Sequence, residues 1–146
     1  IVVVVMGILA AIAYPSYTRY ITESRRSDAQ IGLTQLANME EKFFSQCNKY
    51  TIATTTGTVQ GCDGLGMTST GTPSQTYSPN QYYILTVAAP AGGSIDTAFI
   101  ATATPVAGTT QANDGKFTLA HTGLKQWDKN NDGDYADTGE TTWRKH

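Results

Sequence analysis

The residues 128–140, DKNNDGDYADTGE, concentrate the oxygen ligands of this chain. Asp128, Asn130, Asp132 and Asp134 recur at every second position, and Gly133 permits the sharp turn such a loop needs. Ca²⁺ is a hard cation that takes about six to eight oxygens, and this is how a calcium-binding loop opens. The second half departs from an EF-hand. Gly139 stands where the bidentate glutamate belongs, so Asp137 or Glu140 must close the ring, and no helix pair flanks it. The expectation is a structural Ca²⁺ held by Asp128, Asn130, Asp132, Asp134, Asp137 and Glu140, clamping the tail. A solvated acidic turn is the competing reading.

Catalytic chemistry has little to use. The two histidines, His121 in an expected strand and His146 at the end, stand beside no candidate nucleophile. There is no G-x-S-x-G, no phosphate-cradling Walker loop and no H-E-x-x-H, and Gly64-Leu65-Gly66 lacks the strand and helix a dinucleotide loop requires. A structural protein is expected, not an enzyme. The formal charge of −2 offers no basic face, so binding of nucleic acid by this chain alone is not expected. Trp143-Arg144-Lys145-His146 is the one basic and aromatic cluster a nucleic acid would favour.

The elements that must carry these residues fit one domain, as a chain of 146 residues predicts. Residues 1–13, IVVVVMGILAAIA, contain no charged or hydrogen-bonding side chain. As a helix they rise about 20 Å, short of the ~30 Å hydrocarbon core. The chain opens on Ile, and a further apolar stretch before it is expected. A signal peptide would show a basic start and a small-residue cleavage site, whereas this run continues into Tyr14-Pro15-Ser16-Tyr17. Beyond Pro15 the pattern turns amphipathic. Ala29, Leu33, Leu36, Met39 and Phe43 form one stripe, with Arg25, Arg26, Asp28, Gln35, Glu40, Glu41 and Lys42 mostly on other faces. Gly7 and Pro15 are weak points, and a break is expected between them.

Residues 81–89, 97–104 and 116–121 read as strands, from their β-branched and aromatic content or their alternation of polar and apolar positions. The connections carry Pro90, Gly92 and Gly93, then Gly108, Asn113, Asp114 and Gly115, which favours an antiparallel meander. One face of that sheet needs cover, and the helix stripe supplies it. The expected fold is α+β. A long N-terminal helix, 1–46, leads to a loop, 47–80, and then to a small antiparallel sheet with a calcium-loop-like tail, 81–146.

The segment IVVVVMGILAAIAYPSYTRYI resembles the N-terminal helix of type IV pilins. The Val/Ile run, Gly7-Ile8-Leu9-Ala10-Ala11-Ile12-Ala13, Pro15, Tyr17 and Tyr20 carry the likeness. Glu41-Lys42-Phe43-Phe44 with Asn48-Lys49-Tyr50-Thr51 resembles the helix exit into the αβ-loop. Residues 82–87, 99–105 and 117–119 with 123–125 resemble a pilin sheet of three or four strands. In that family the mature chain begins a few residues earlier, with a methylated aromatic residue and a nearby glutamate, and neither can be assigned here.

The resemblance implies a subunit of a helical pilus filament on the bacterial surface, serving adhesion, twitching motility, attachment or DNA uptake. It implies an inner-membrane reservoir before assembly and a pilus assembly machinery as partner. Ile1, Val2, Val3, Val4, Val5, Met6, Ile8, Leu9 and Ile12 would pack the filament core, with Gly7 and Pro15 as the helix break. Pseudopilins of type II secretion hold Ca²⁺ in a similar C-terminal loop, and a major pseudopilin or a minor tip pilin are the alternatives. Cys47 and Cys62 are the only cysteines, and in an exported protein an even pair favours a disulfide. Such a bridge departs from pilins that staple a C-terminal loop.

Overall fold

The structure, a computed structural model, describes residues 2–68, 72 and 74–143, with the side chains of 8–10 and 12–16 outside the description. One helix, α1 (Val2–Cys47), is followed by β1 (Gln75–Tyr77), β2 (Tyr83–Ala88), β3 (Ile100–Pro105), β4 (Phe117–Ala120) and β5 (Lys125–Trp127). The strands pair antiparallel in chain order, so each lies beside its sequence neighbour. This is the expected α+β arrangement of helix on sheet.

The second half of α1 is anchored by its stripe. Ala29, Leu33, Leu36 and Phe43 are fully buried against Tyr83, Leu85 and Val87 of β2, Ala101 and Ala103 of β3, and Phe117 and Leu119 of β4. Alternation along β2 and β3 sends every second side chain to the helix, as a pleated strand must. The small Ala101 and Ala103 let the helix sit close to the middle strand. Gly32 does the same over β2, where an added Cβ would lie 2.9 Å from Leu85 Cδ1. Asn48, at φ 59°, ends the helix in the left-handed conformation, and its N–H bonds Phe44 O at 2.8 Å.

The sheet has five strands, where three or four were expected. Residues 75–77 sit in a Thr- and Ser-rich stretch with a single buried position, Thr76, so no alternation marks β1. β5 buries only Trp127. His121 lies just past β4 in a turn and is exposed. α1 runs as one helix through Gly7 and Pro15, where a break was expected.

The first part of the long αβ-loop is tied to the end of the helix. Cys47, the last helical residue, is bonded to Cys62, with Cα atoms 5.5 Å apart. Closing a loop of this length constrains the unfolded chain by about 3 kcal/mol in the chain-entropy account. Tyr50 stacks on Phe44 at 4.6 Å and meets Phe99 edge-on at 4.8 Å. Gly64 passes so close to Thr56 that a Cβ would lie 1.9 Å from its carbonyl oxygen.

Glu40 lies on the buried face, not the solvent face expected for it. It is fully buried, with Oε2 accepting the Thr51 N–H at 3.1 Å and Oε1 without a partner. Burial raises its carboxyl from 4.5 to about 7, opposed by the Thr51 hydrogen bond and aided by Glu41. A raised carboxyl favours the fold while protonated. The stabilisation is complete below about pH 4.5 and disappears as the pH rises through about 7. The melting temperature, followed by circular dichroism, should therefore fall between pH 5 and pH 8. Glu40→Gln should flatten that slope and be more stable than wild type at pH 8, by on the order of 3 kcal/mol. A slope unchanged in the variant would show that another group titrates.

Candidate functional site

Two regions lie outside the packed core, and each begins from local sequence chemistry. The first is the stem. Val2, Val3, Val4, Val5 and Met6 are 50–81% exposed, and nothing else among the described residues covers them. Tyr17 and Tyr20 are also exposed. Ile1 lies outside the described residues, as do the side chains of Ile8, Leu9, Ile12 and Pro15. Gly7 has open space around it. Among the described residues no helix is long and apolar enough to cross a membrane.

The second region is the acidic loop after β5. Its six expected ligands divide into two groups. Asp128 and Glu140 are buried and hold the frame. The two Asp128 oxygens accept the N–H groups of Asp132 and Gly133, each at 3.1 Å. Those of Glu140 accept the N–H groups of Lys129 at 2.9 Å and Asp137 at 3.2 Å. Burial, then the charges of Asp128 and Glu140, raise the phenol of half-buried Tyr135 between them.

The exposed group converges differently. Asn130 Nδ2 donates to Asp132 Oδ2 at 2.8 Å and to Asp137 Oδ2 at 2.7 Å, drawing the two carboxylates onto one side chain. Asp134 stands apart and accepts the Ala136 N–H at 2.9 Å. Among the described residues no three carboxylate, histidine or cysteine groups gather as a metal cluster would require. The convergent set is thus Asn130, Asp132 and Asp137, smaller than the set of six.

What joins stem and loop is a polar network that the sequence reading did not single out. Arg26 of α1 reaches Asp114 in the β3–β4 connection at 2.6 Å, with a second nitrogen at 2.9 and 3.0 Å. Its guanidinium also lies 4.2 Å over the Trp127 ring, which stacks on Phe117. Tyr83 Oη donates to Asp114 at 2.9 Å, and Gln111 Nε2 donates to Tyr83 Oη at 2.7 Å and to Asp114 at 2.8 Å. Burial and the adjacent Asp114 charge hold the Tyr83 hydroxyl far above the ordinary phenol range, so it remains a donor.

A second buried carboxylate, Asp28, accepts from Ser78 Oγ, from Asn80 N at 2.9 Å and Nδ2 at 3.1 Å, and from Tyr82 N at 3.4 Å. It fixes the β1–β2 turn to the helix. A partial signal was present. Residues 29, 33, 36, 40 and 43 alternate spacings of four and three, which places Glu40 on the stripe ahead of Met39. Nothing local pairs Arg26 with a residue 88 positions away.

An amphipathic helix half packs on an antiparallel sheet, and the exposed apolar side chains of residues 2–6 extend beyond it. A family model described as type IV minor pilin ComP, DNA uptake sequence receptor, matches residues 15–118, and the chain belongs to that family of type IV pilins. It is also similar to the type IV major pilin protein PilA of Myxococcus xanthus (strain DK1622), with 40% identity over 50 residues. That match covers 34% of this chain and 23% of the relative, so the chain spans about a quarter of the relative's length.

Breaking a buried ion pair by removing one partner strands the other charge. Asp114→Ala should cost about 3 kcal/mol in equilibrium denaturation. The double variant R26M/D114A should lose distinctly less than the two single losses combined. Strict additivity would mean that the pair contributes no coupling.

Proposed function

We propose that this chain is a filament-building subunit of a surface-displayed type IV pilus, waiting in the inner membrane by its stem until the pilus machinery draws it into the fibre. One observation carries the reading: the apolar side chains at residues 2–6 are exposed on a helix that projects past the packed head. A helix apolar all round is stable in lipid or among other apolar helices, not in water. Copies bundled along an axis bury that surface, and head-to-tail contacts that do not close into a ring propagate as a helical polymer. Within such a bundle the stem unwinds between Gly7 and Pro15 to thread past neighbouring heads. The role is structural, with no step of catalysis.

The acidic loop serves this role as a calcium clamp. The framework set by Asp128 and Glu140 supports it, as does the meeting of Asp132 and Asp137 at Asn130. Ca²⁺ would supply the positive charge that the Asn130 amide supplies weakly. Asn130, Asp132 and Asp137 would hold it, with Asp134 at the margin.

A second reading, a minor pilin that handles DNA, is favoured by the matched family's description as a DNA uptake sequence receptor. The formal charge of −2 argues for the shaft. Arg144, Lys145 and His146 of the basic tail cluster lie outside the described residues.

Fibres sheared from cells, imaged by electron microscopy and identified by mass spectrometry, should consist mainly of this chain, and Val3→Asp with Val4→Asp should abolish them while the head still folds. Short fibres accompanied by secretion proteins would favour a pseudopilin. Trace amounts in fibres of another subunit, with salt-sensitive binding of duplex DNA, would favour the minor pilin. For the clamp, excess Ca²⁺ should raise the melting temperature by about 2–8 °C, as ligand linkage of 1–2 kcal/mol gives. D132N/D137N should remove that response.

A further inference from the structure

A cleft lies where the stem leaves the head. It encloses about 830 Å³ and is lined by Tyr17, Arg19, Glu23, Arg25 and Arg26 of α1 and by Thr110 of the β3–β4 connection, among others. Its charges are unequally engaged. Arg26 is neutralised by Asp114, the one ion pair among the described residues. Arg19 and Arg25 have no carboxylate within ion-pair distance there, and Glu23 is exposed. Apart from the paired Arg26, the charged groups lining the cleft are thus two cations and the single carboxylate of Glu23.

Arg25 is held ready for a ligand. One nitrogen donates to Thr110 Oγ1, and the plane lies 4.4 Å over the Tyr82 ring, which fixes the guanidinium while leaving most of its donors free. A planar fork held this way presents paired N–H groups to a tetrahedral anion such as phosphate, and less ordering entropy is lost per bond formed.

The position along the helix selects the source of that phosphate. Residues 1–13 are apolar, and exposed Tyr17 and Tyr20 follow about one and two turns later. Tyrosines at such a place mark the boundary between hydrocarbon and water. Arg19 lies at their level. Arg25 is about 8 Å above Tyr20 along the helix axis, within a headgroup's reach of that boundary. A phospholipid headgroup occupies that layer, whereas a nucleic acid would have to approach beneath the head.

We propose that this cleft binds the phosphate headgroup of an anionic phospholipid, with Arg19 and Arg25 as its cationic ligands, and so fixes the height and tilt of the subunit in the membrane before assembly. The inference rests on the reading that the stem waits in a bilayer, and it adds a specific lipid contact to that reading. Release of the headgroup then accompanies extraction, freeing both arginines.

The test uses the full chain mixed with vesicles of pure phosphatidylcholine or of phosphatidylcholine containing phosphatidylglycerol. Flotation reads insertion, and mass spectrometry reads the lipid retained after mild detergent extraction. Wild type should float with both vesicles and retain phosphatidylglycerol over phosphatidylcholine by about 30-fold, as two basic groups near an anionic surface give. R19Q/R25Q should still float yet lose that preference. R19K/R25K should keep most of it, which separates charge from a folding defect in the glutamine variant. Lys42→Gln, a loss of charge elsewhere on α1, should change nothing. Flotation with no lipid preference would overturn the headgroup site alone. No flotation on either vesicle would overturn the membrane reading together with it. Loss of retained lipid on adding millimolar inorganic phosphate or duplex DNA, with either one bound through Arg19 and Arg25 more tightly than the lipid, would reassign the cleft and overturn the proposal.

Discussion

Asp114 is the carboxylate on which the rest of the head depends. It is 7% exposed, and it receives Arg26 from the helix, Tyr83 from β2 and Gln111 from its own connection. Its backbone carbonyl takes the Trp127 indole N–H at 2.8 Å. Four segments distant in sequence therefore meet at one residue. A buried charge is costly unless every lone pair is occupied, and here the occupants are the elements that must be held together. The arrangement trades the indifference of an apolar contact for a unique register of helix on sheet.

From that hub the order passes to the acidic loop. Gly115, at φ +79°, lies so close to the Asp128 carbonyl that a Cβ would be 1.7 Å from its oxygen. The Asp128 N–H bonds Lys116 O at 2.9 Å, and Trp127 N–H bonds Glu140 O at 2.8 Å. The two buried acids of the loop are thus positioned by the strand edge before any ion is considered. Trp143 then folds back, its indole donating to Thr118 O and Gln126 O, with Lys125 over its ring. The loop is a backbone device first, which is why only Asn130, Asp132 and Asp137 are left with side chains turned to each other.

The sequence made the apolar and periodic parts legible. The stripe of Ala29, Leu33, Leu36 and Phe43 and the three longer strands follow from period and composition, because burial acts on every residue of a face, and the cysteine pairing from an even count in an exported chain. What stayed hidden was polar and non-local. Asp28 and Glu40 carry hydrophilic side chains at buried helix positions, so polarity alone assigns them to solvent. The Arg26–Asp114 pair requires the fold itself to bring its members together. β1 and β5, with three residues each and a single buried side chain apiece, lie below the length at which alternation is a signal.

The two halves of α1 answer to different solvents, and this division explains the placement of the stabilising devices. From Arg26 onward each turn of the helix has a partner in the head, ending in the disulfide at Cys47 that closes the αβ-loop. Before Arg25 the helix has almost none, and its exposed valines gain nothing from the head. The head can therefore fold and keep its register whatever surrounds the stem. A subunit whose stem packed on its own head would be more stable alone and would have no apolar surface left to polymerise. The uncovered stem is what a monomer cannot stabilise and an assembly can.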